Sequence, residues 1–127
     1  MKSDLELATT VIKQLRKSGK TLAVAESLTG GGLGAALTEV AGSSEVFLGG
    51  IITYTDASKV KLLEIPKRLI SKHTAVSEEV AKAMAESVRK IFKSDFAIST
   101  TGVAGPGKAF GKSAGSVWLA IATKKEV

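Results

Sequence analysis

The chain has no cysteine and a single histidine, His73. These two scarcities remove disulfides, thiolate metal sites and any histidine-based metal cluster, and leave a Ser-His-Asp triad only one imidazole to use. His73 stands in a polar connector, Ser71-Lys72-His73-Thr74, a setting for an exposed or turn-packing side chain rather than a catalytic one. No apolar run reaches the roughly 18 residues of a membrane span, and the amino end, with Asp4 and Glu6, lacks a signal peptide's basic and apolar regions. The expectation is a cytoplasmic protein without a membrane partner. Aromatics are scarce as well, at 5% of the residues. The formal charge is +6, from 18 Lys and Arg against 12 Asp and Glu, but the lysines are scattered. Nucleic-acid binding usually adds a basic stripe or stacking rings, so solvated lysine faces and a phosphate-bearing small substrate are the favoured reading.

With 127 residues, the chain is read as one domain, 1–127, large enough for a real core. Its organising stretch is Ala25-Glu26-Ser27-Leu28-Thr29-Gly30-Gly31-Gly32. Thr21 to Ala25 reads as a buried strand, and Leu33, Ala36, Leu37 and Val40 fall at helical spacing, so the glycines occupy a strand-to-helix turn. In an open α/β sheet such a turn faces the ligand crevice. No lysine lies between Glu26 and Val40, which excludes a P-loop. Glycine near a helix start costs about 1 kcal/mol relative to alanine; three of them beside two hydroxyls favour a site over packing alone.

Before this turn, Ser3 and Glu6 form a capping-box spacing, followed by Leu5, Ala8, Val11, Ile12 and Leu15 on one helix face that ends near Gly19. After it come a β-branched strand from Gly49 to Thr55, a short helix capped by Asp56, a turn from Pro66 through Ile70, and a helix from Ser77 whose inner face is Val80, Met84, Val88 and Ile91 with Phe92. The strand Phe96 to Ser99 leads into a second hydroxyl-and-glycine loop, Thr100 to Gly107, and Ser116 to Thr123 is the last strand. Interleaved helices and short apolar strands imply an α/β domain with a largely parallel sheet. The turns after Ala25, Thr55 and Ser99 then converge on one crevice.

Only Glu26 among the carboxylates lies in a candidate site loop, so a paired-carboxylate mechanism has no obvious second member. Hydroxyls, one tyrosine and lysines remain. A serine needs a proton acceptor, and a desolvated lysine serves because burial disfavours its charge. Ser27 and Lys59 form the candidate pair, with Tyr54 between them in sequence; Tyr54, Glu26 and a bound water are the other candidates for the base.

The same residues resemble the CinA carboxy-terminal domain family, the nicotinamide-mononucleotide deamidases. Ala25 to Gly31 resembles its AES-x-TGG signature, Ala41-Gly42-Ser43-Ser44 with Phe47 its GSS-x-x-F segment, and Gly50 to Tyr54 with Lys59 its G-x-x-TY-x-x-x-x-K segment. Ala75 to Ser77 is similar to its AVSE block, Thr101 to Pro106 to its TG-x-AGP loop, and Gly115 with Val117-Trp118 to its G-x-VW strand. The resemblance implies a three-layer α/β/α sandwich with a mostly parallel mixed sheet, often dimeric. It also implies an amidohydrolase that needs no metal or other cofactor and converts nicotinamide mononucleotide to nicotinate mononucleotide and ammonia. It makes Ser27 the nucleophile, Lys59 its base, and Tyr54 and Thr29 orienting or relaying groups. Glu26, Gly30, Gly31, Ser43, Thr101, Gly102, Ala104 and Gly105 become the substrate-binding positions, with Gly30, Gly31, Thr101 and Gly102 also near the oxyanion. A competing reading is a non-catalytic nucleotide-binding or DNA-damage and competence interaction module.

Two departures from the family pattern carry expectations of their own. Lys112 is followed by Ser113 where the family has Lys-Pro, which bears on the rigidity of the loop. The family also continues into another strand and a long final helix beyond the G-x-VW strand. Since Val117, Leu119 and Ile121 alternate with Trp118, Ala120 and Ala122, the last strand is apolar on both faces. An exposed apolar patch near Trp118, or its burial by a partner chain, is therefore expected.

Overall fold

The computed structural model describes Met1–Val127. Its helices are α1 (Asp4–Ser18), α2 (Gly32–Thr38), α3 (Asp56–Leu63), α4 (Lys67–His73) and α5 (Glu78–Phe92), with a 3-10 turn at Ser43–Glu45. The strands are β1 (Leu22–Glu26), β2 (Phe47–Ile52), β3 (Phe96–Gly102) and β4 (Val117–Ala122), in the sheet order β2-β1-β3-β4. β1 pairs in parallel with both β2 and β3, and β4 runs antiparallel to β3. The result is a mostly parallel, mixed open sheet with α1 and α2 on one face and α5, with α3 and α4, on the other. No helix is long and apolar enough to cross a membrane.

Local chemistry sets these boundaries. Ser3 and Glu6 close a reciprocal capping box at the start of α1, and Gly19 ends the helix in the left-handed conformation. The cap of α3 is Thr55, paired with Ser58, rather than Asp56, which is the first helical residue. β2 stops at Ile52, three residues short of the expected Thr55, because after a last bond from Thr53 N–H to Glu26 O the chain turns away from β1 to launch α3. Asp95 accepts hydrogen bonds from Thr21 N–H and Oγ1–H at 3.0 and 3.2 Å, tying the start of β3 to that of β1 and holding its carboxyl below the ordinary carboxylate range.

The sheet separates two cores. Ala23, Ala25, Ala97, Ala120 and Ala122 face α5, and these small side chains admit the helix face carrying Val80, Ala81, Met84, Ala85 and Val88 close to the strands. Ser99 Oγ donates to Ala81 O across this layer at 2.6 Å. On the other face Leu22 and Val24 pack with Ala8, Ile12, Leu15, Leu37 and Val46. Leu5, Val11 and Ile91, all expected on inner faces, are exposed. The outward side of β4 is exposed too, with Leu119 and Ile121 65% and 61% accessible, and on its other face, at the end beyond Ala120, Trp118 is only partly covered.

Candidate active site

Three parallel strands ending on the same side bring their following turns together, and a cavity of about 260 Å³ opens there. Its lining includes Ser27 and Leu28 after β1, Tyr54, Asp56 and Lys59 after β2, and Thr101 to Ala104 at the end of β3. The connector before α5 adds Ala75 and Val76, and the loop before β4 adds Gly105 to Gly107, Ala109 and Phe110.

Ser27 and Lys59 meet at its floor. Lys59 Nζ donates to Ser27 Oγ at 2.9 Å and to the Thr53 carbonyl at 2.8 Å. Lys59 is 1% exposed and Ser27 6%. A lysine buried this deeply pays for its charge in lost hydration; that desolvation holds its pKa below the ordinary lysine value, against the opposing pull of Asp56. Folding places it there because α3 is capped on Thr55 and its far end, with Leu63 and Ile65, is anchored in the α5-side core.

The residue preceding the serine has a different task. Glu26 is buried on the α2 side, where one carboxylate oxygen accepts from Gly31 N–H at 3.2 Å and Leu33 N–H at 2.9 Å, and the other from Gly34 N–H at 2.9 Å. It caps α2 from outside the helix, since Gly31 at the cap position has no side chain to do so. Gly30 and Gly31 adopt φ of 57° and 102°, which only glycine reaches without strain, and a Cβ at Gly31 would stand 3.0 Å from Ile52 Cδ1. Glu26, Gly30 and Gly31, expected at the substrate, therefore build the turn and lie outside the cavity lining. Gly30 N–H donates to Ser27 O at 3.0 Å, so neither glycine amide is free for an oxyanion. Leu28 N–H, beside the serine, has no partner within the chain.

The remaining expected positions divide in the same way. Thr29 Oγ1 shares a 2.7 Å hydrogen bond with Thr100 Oγ1 and faces the groove beside α1, away from Lys59. Ser43 is buried in the 3-10 turn, outside the cavity. Thr101, Gly102, Ala104 and Gly105 do line it, but Thr101 Oγ1 is committed to the Ala75 carbonyl at 2.7 Å. Tyr54 lines the mouth and is 66% exposed. Asp56, Ala75, Val76 and Phe110 were not singled out as site residues from sequence; for Phe110 the available signal was an aromatic set between Ala109 and Gly111 in a loop of small and polar residues. His73 pairs with Glu79 at 3.4 Å, away from the cavity. No group of three or more His, Cys, Asp or Glu side chains is placed to hold a metal ion.

Comparison with known proteins agrees along the whole chain. A CinA-like protein from Synechococcus sp. (strain CC9902) is 52% identical over 125 residues, covering 98% of this chain and 30% of the relative. A putative competence-damage inducible protein from Caldanaerobacter subterraneus is 48% identical over 97% of this chain, again 30% of the relative. The chain thus spans about 30% of the length of these curated relatives. Among solved structures, the competence damage-inducible protein A (ComA) from Klebsiella pneumoniae superposes with a TM-score of 0.96 at 32% identity, covering 98% of this chain and 78% of that one. The competence/damage inducible protein CihA from Agrobacterium tumefaciens gives 0.93 at 36% identity, covering 100% and 78%. The sequence model of the CinA C-terminal domain matches residues 4–127, and this chain belongs to that family.

Proposed function

We propose that the chain is an amidohydrolase that converts nicotinamide mononucleotide to nicotinate mononucleotide and ammonia, with Ser27 as nucleophile and Lys59 as its base. The observation that carries this reading is the 2.9 Å contact between Ser27 Oγ and a buried lysine whose charge is disfavoured. A neutral Lys59 keeps two N–H donors and gains a lone pair. One donor stays on the Thr53 carbonyl, which orients the amine, and the lone pair accepts the Ser27 hydroxyl proton as Oγ attacks the amide carbon. Leu28 N–H, free and adjacent, is the donor assigned to the developing oxyanion. Collapse breaks the C–N bond, Lys59 returns the proton to the leaving nitrogen, and ammonia departs. Lys59 then takes a proton from the water that attacks the acyl-serine and returns it to Ser27 Oγ as the C–O bond breaks, releasing the acid and restoring the hydroxyl and the neutral amine.

The test is ammonia release from nicotinamide mononucleotide by the purified chain, with Ser27→Ala as the control. Release by the wild type and none by the variant supports the reading. Binding without release by the wild type overturns the enzyme reading in favour of a nucleotide-binding module.

A further inference from the structure

The loop between β3 and β4 places an aromatic ring where backbone energetics oppose one. Ala109 and Lys112 exchange both backbone hydrogen bonds, at 3.0 and 2.9 Å, around a two-residue hairpin turn whose central residues, Phe110 and Gly111, have φ of 55° and 71°. Positive φ at both centres is the type I′ pattern, which favours Asn, Asp or Gly at the first position. A phenylalanine held there is strained, and strained residues concentrate where a ligand is gripped. The ring gains no core packing in return: Phe110 is 51% exposed, whereas Phe47, Phe92 and Phe96 pack against the two cores. It lines the Ser27 cavity instead, as does the only tyrosine, Tyr54. The cavity's two aromatic side chains thus both stand more than half exposed at its mouth.

We propose that Phe110 is a specificity-determining residue which, with Tyr54, holds a planar heteroaromatic ring at the cavity mouth and so selects aromatic amides over aliphatic ones. This rests on the amidohydrolase reading for the identity of the reacting group, but not for the ring contact. Exposed rings with a strained backbone become favourable once a flat π-system covers them, because stacking adds to the apolar area removed from water.

The test uses the whole chain in two measurements. Equilibrium binding of nicotinate mononucleotide and of ribose 5-phosphate, which lacks the ring, is compared in Ser27→Ala and in Ser27→Ala with Phe110→Asn. Phe110→Asn is expected to weaken the mononucleotide roughly three- to tenfold and leave ribose 5-phosphate unchanged, while Phe110→Trp preserves affinity. Because Asn tolerates positive φ, Phe110→Asn should melt at or above the wild-type temperature, which separates lost recognition from lost folding. In turnover of nicotinamide mononucleotide the loss falls on KM rather than kcat. Unchanged mononucleotide affinity, or an equal loss for ribose 5-phosphate, overturns the proposal. If the wild type releases no ammonia but binding still depends on Phe110 and the ring, the ring site stands and the amidohydrolase reading falls. If ammonia is released with the same KM in Phe110→Asn, the reverse holds. No mononucleotide binding at all overturns both.

Discussion

The two faces of the sheet are made from alternate residues of the same strands, yet they support different states. On the α5 face one long helix lies against all four strands on a floor of alanines, and the core it seals reaches α3 and α4. On the other face α1 and the short α2 cover the region around β1, while Leu119 and Ile121 of β4 look outward onto an apolar groove of about 530 Å³ beside α1 and α2. Only the first arrangement provides the dry, fixed surroundings in which a lysine amine can be kept from water. The difference shows that chemistry in this domain follows helix coverage: the nucleophile and base lie toward the sealed face, whereas Glu26 and Thr29, close by in sequence, turn to the other side as structure.

The strongest way to break this comparison is to remove the property that burial confers on Lys59. Lys59→Arg keeps a positive charge but cannot accept a proton, so turnover should fall at least about a thousandfold, measured as ammonia release. In the wild type, activity should rise with pH as Lys59 deprotonates below the ordinary lysine value. Stability has the same sign. Since the folded-state pKa is lowered, the unfolded chain binds the extra proton between the folded and unfolded values, and stability rises with pH across that window and not outside it. Urea midpoints across this range should show the slope in the wild type, and Lys59→Met should remove that component. Near-normal turnover in Lys59→Arg would make Lys59 a clamp on substrate and move the base to Tyr54 or water.

The packing difference between the faces predicts the next largest effect. Met84 is fully buried on the inner face of α5 and Leu119 stands mostly in solvent. Met84→Ala should cost about 2–5 kcal/mol through lost burial and the cavity left behind, whereas Leu119→Ala should change stability by no more than about 0.5 kcal/mol. Equal shifts in denaturation midpoint would mean that β4's outward face is covered in solution. Glu26→Gln probes the open side at a buried polar group. An amide has one oxygen, so either the Gly31 and Leu33 amides or the Gly34 amide must face an NH₂ group. The expected loss is about 2 kcal/mol, read from chemical denaturation; a neutral result would show that the turn holds without its carboxylate.

Much of this was legible because the relevant signals are local. The capping box at Ser3, the apolar run of β1 and the glycine turn each specify their structure within a few residues, as does the polar start of α5 at Ser77. Ser27 and Lys59 could be named because the scarcity of histidine, cysteine and site-loop carboxylates left few alternatives, and the structure brings their polar atoms to 2.9 Å. What sequence hid was direction. Glu26 and Ser27 are adjacent, and strand alternation sends one to the α2 amides and the other to the cavity. Nothing in the string Glu-Ser-Leu-Thr-Gly-Gly says which glycine amides are already bonded. The same holds for Thr29 and Thr101, whose hydroxyls found partners in Thr100 and Ala75 from distant segments. Phe110 was hidden by its loop, where the ring's placement depends on a hairpin closed by Ala109 and Lys112.

Thr53 tests the sealed side at the level of a single hydroxyl. Its N–H donates to Glu26 O at 2.8 Å and its carbonyl receives Lys59 at 2.8 Å, so the backbone of this residue ties the serine turn to the base. Its side chain is fully buried, and Oγ1 has no hydrogen-bond partner. A buried hydroxyl without a bond has given up water for nothing, so Thr53→Val, which keeps the shape and the backbone, should raise stability by about 1 kcal/mol. Lys59 should remain in place, because the atom that holds it belongs to the main chain. Thr53→Ala should instead lower stability by leaving a void where the buried methyl and hydroxyl stood. Chemical denaturation of the two variants decides the matter: a loss in Thr53→Val comparable to that in Thr53→Ala would mean the hydroxyl is bonded in solution, with an ordered water as its partner.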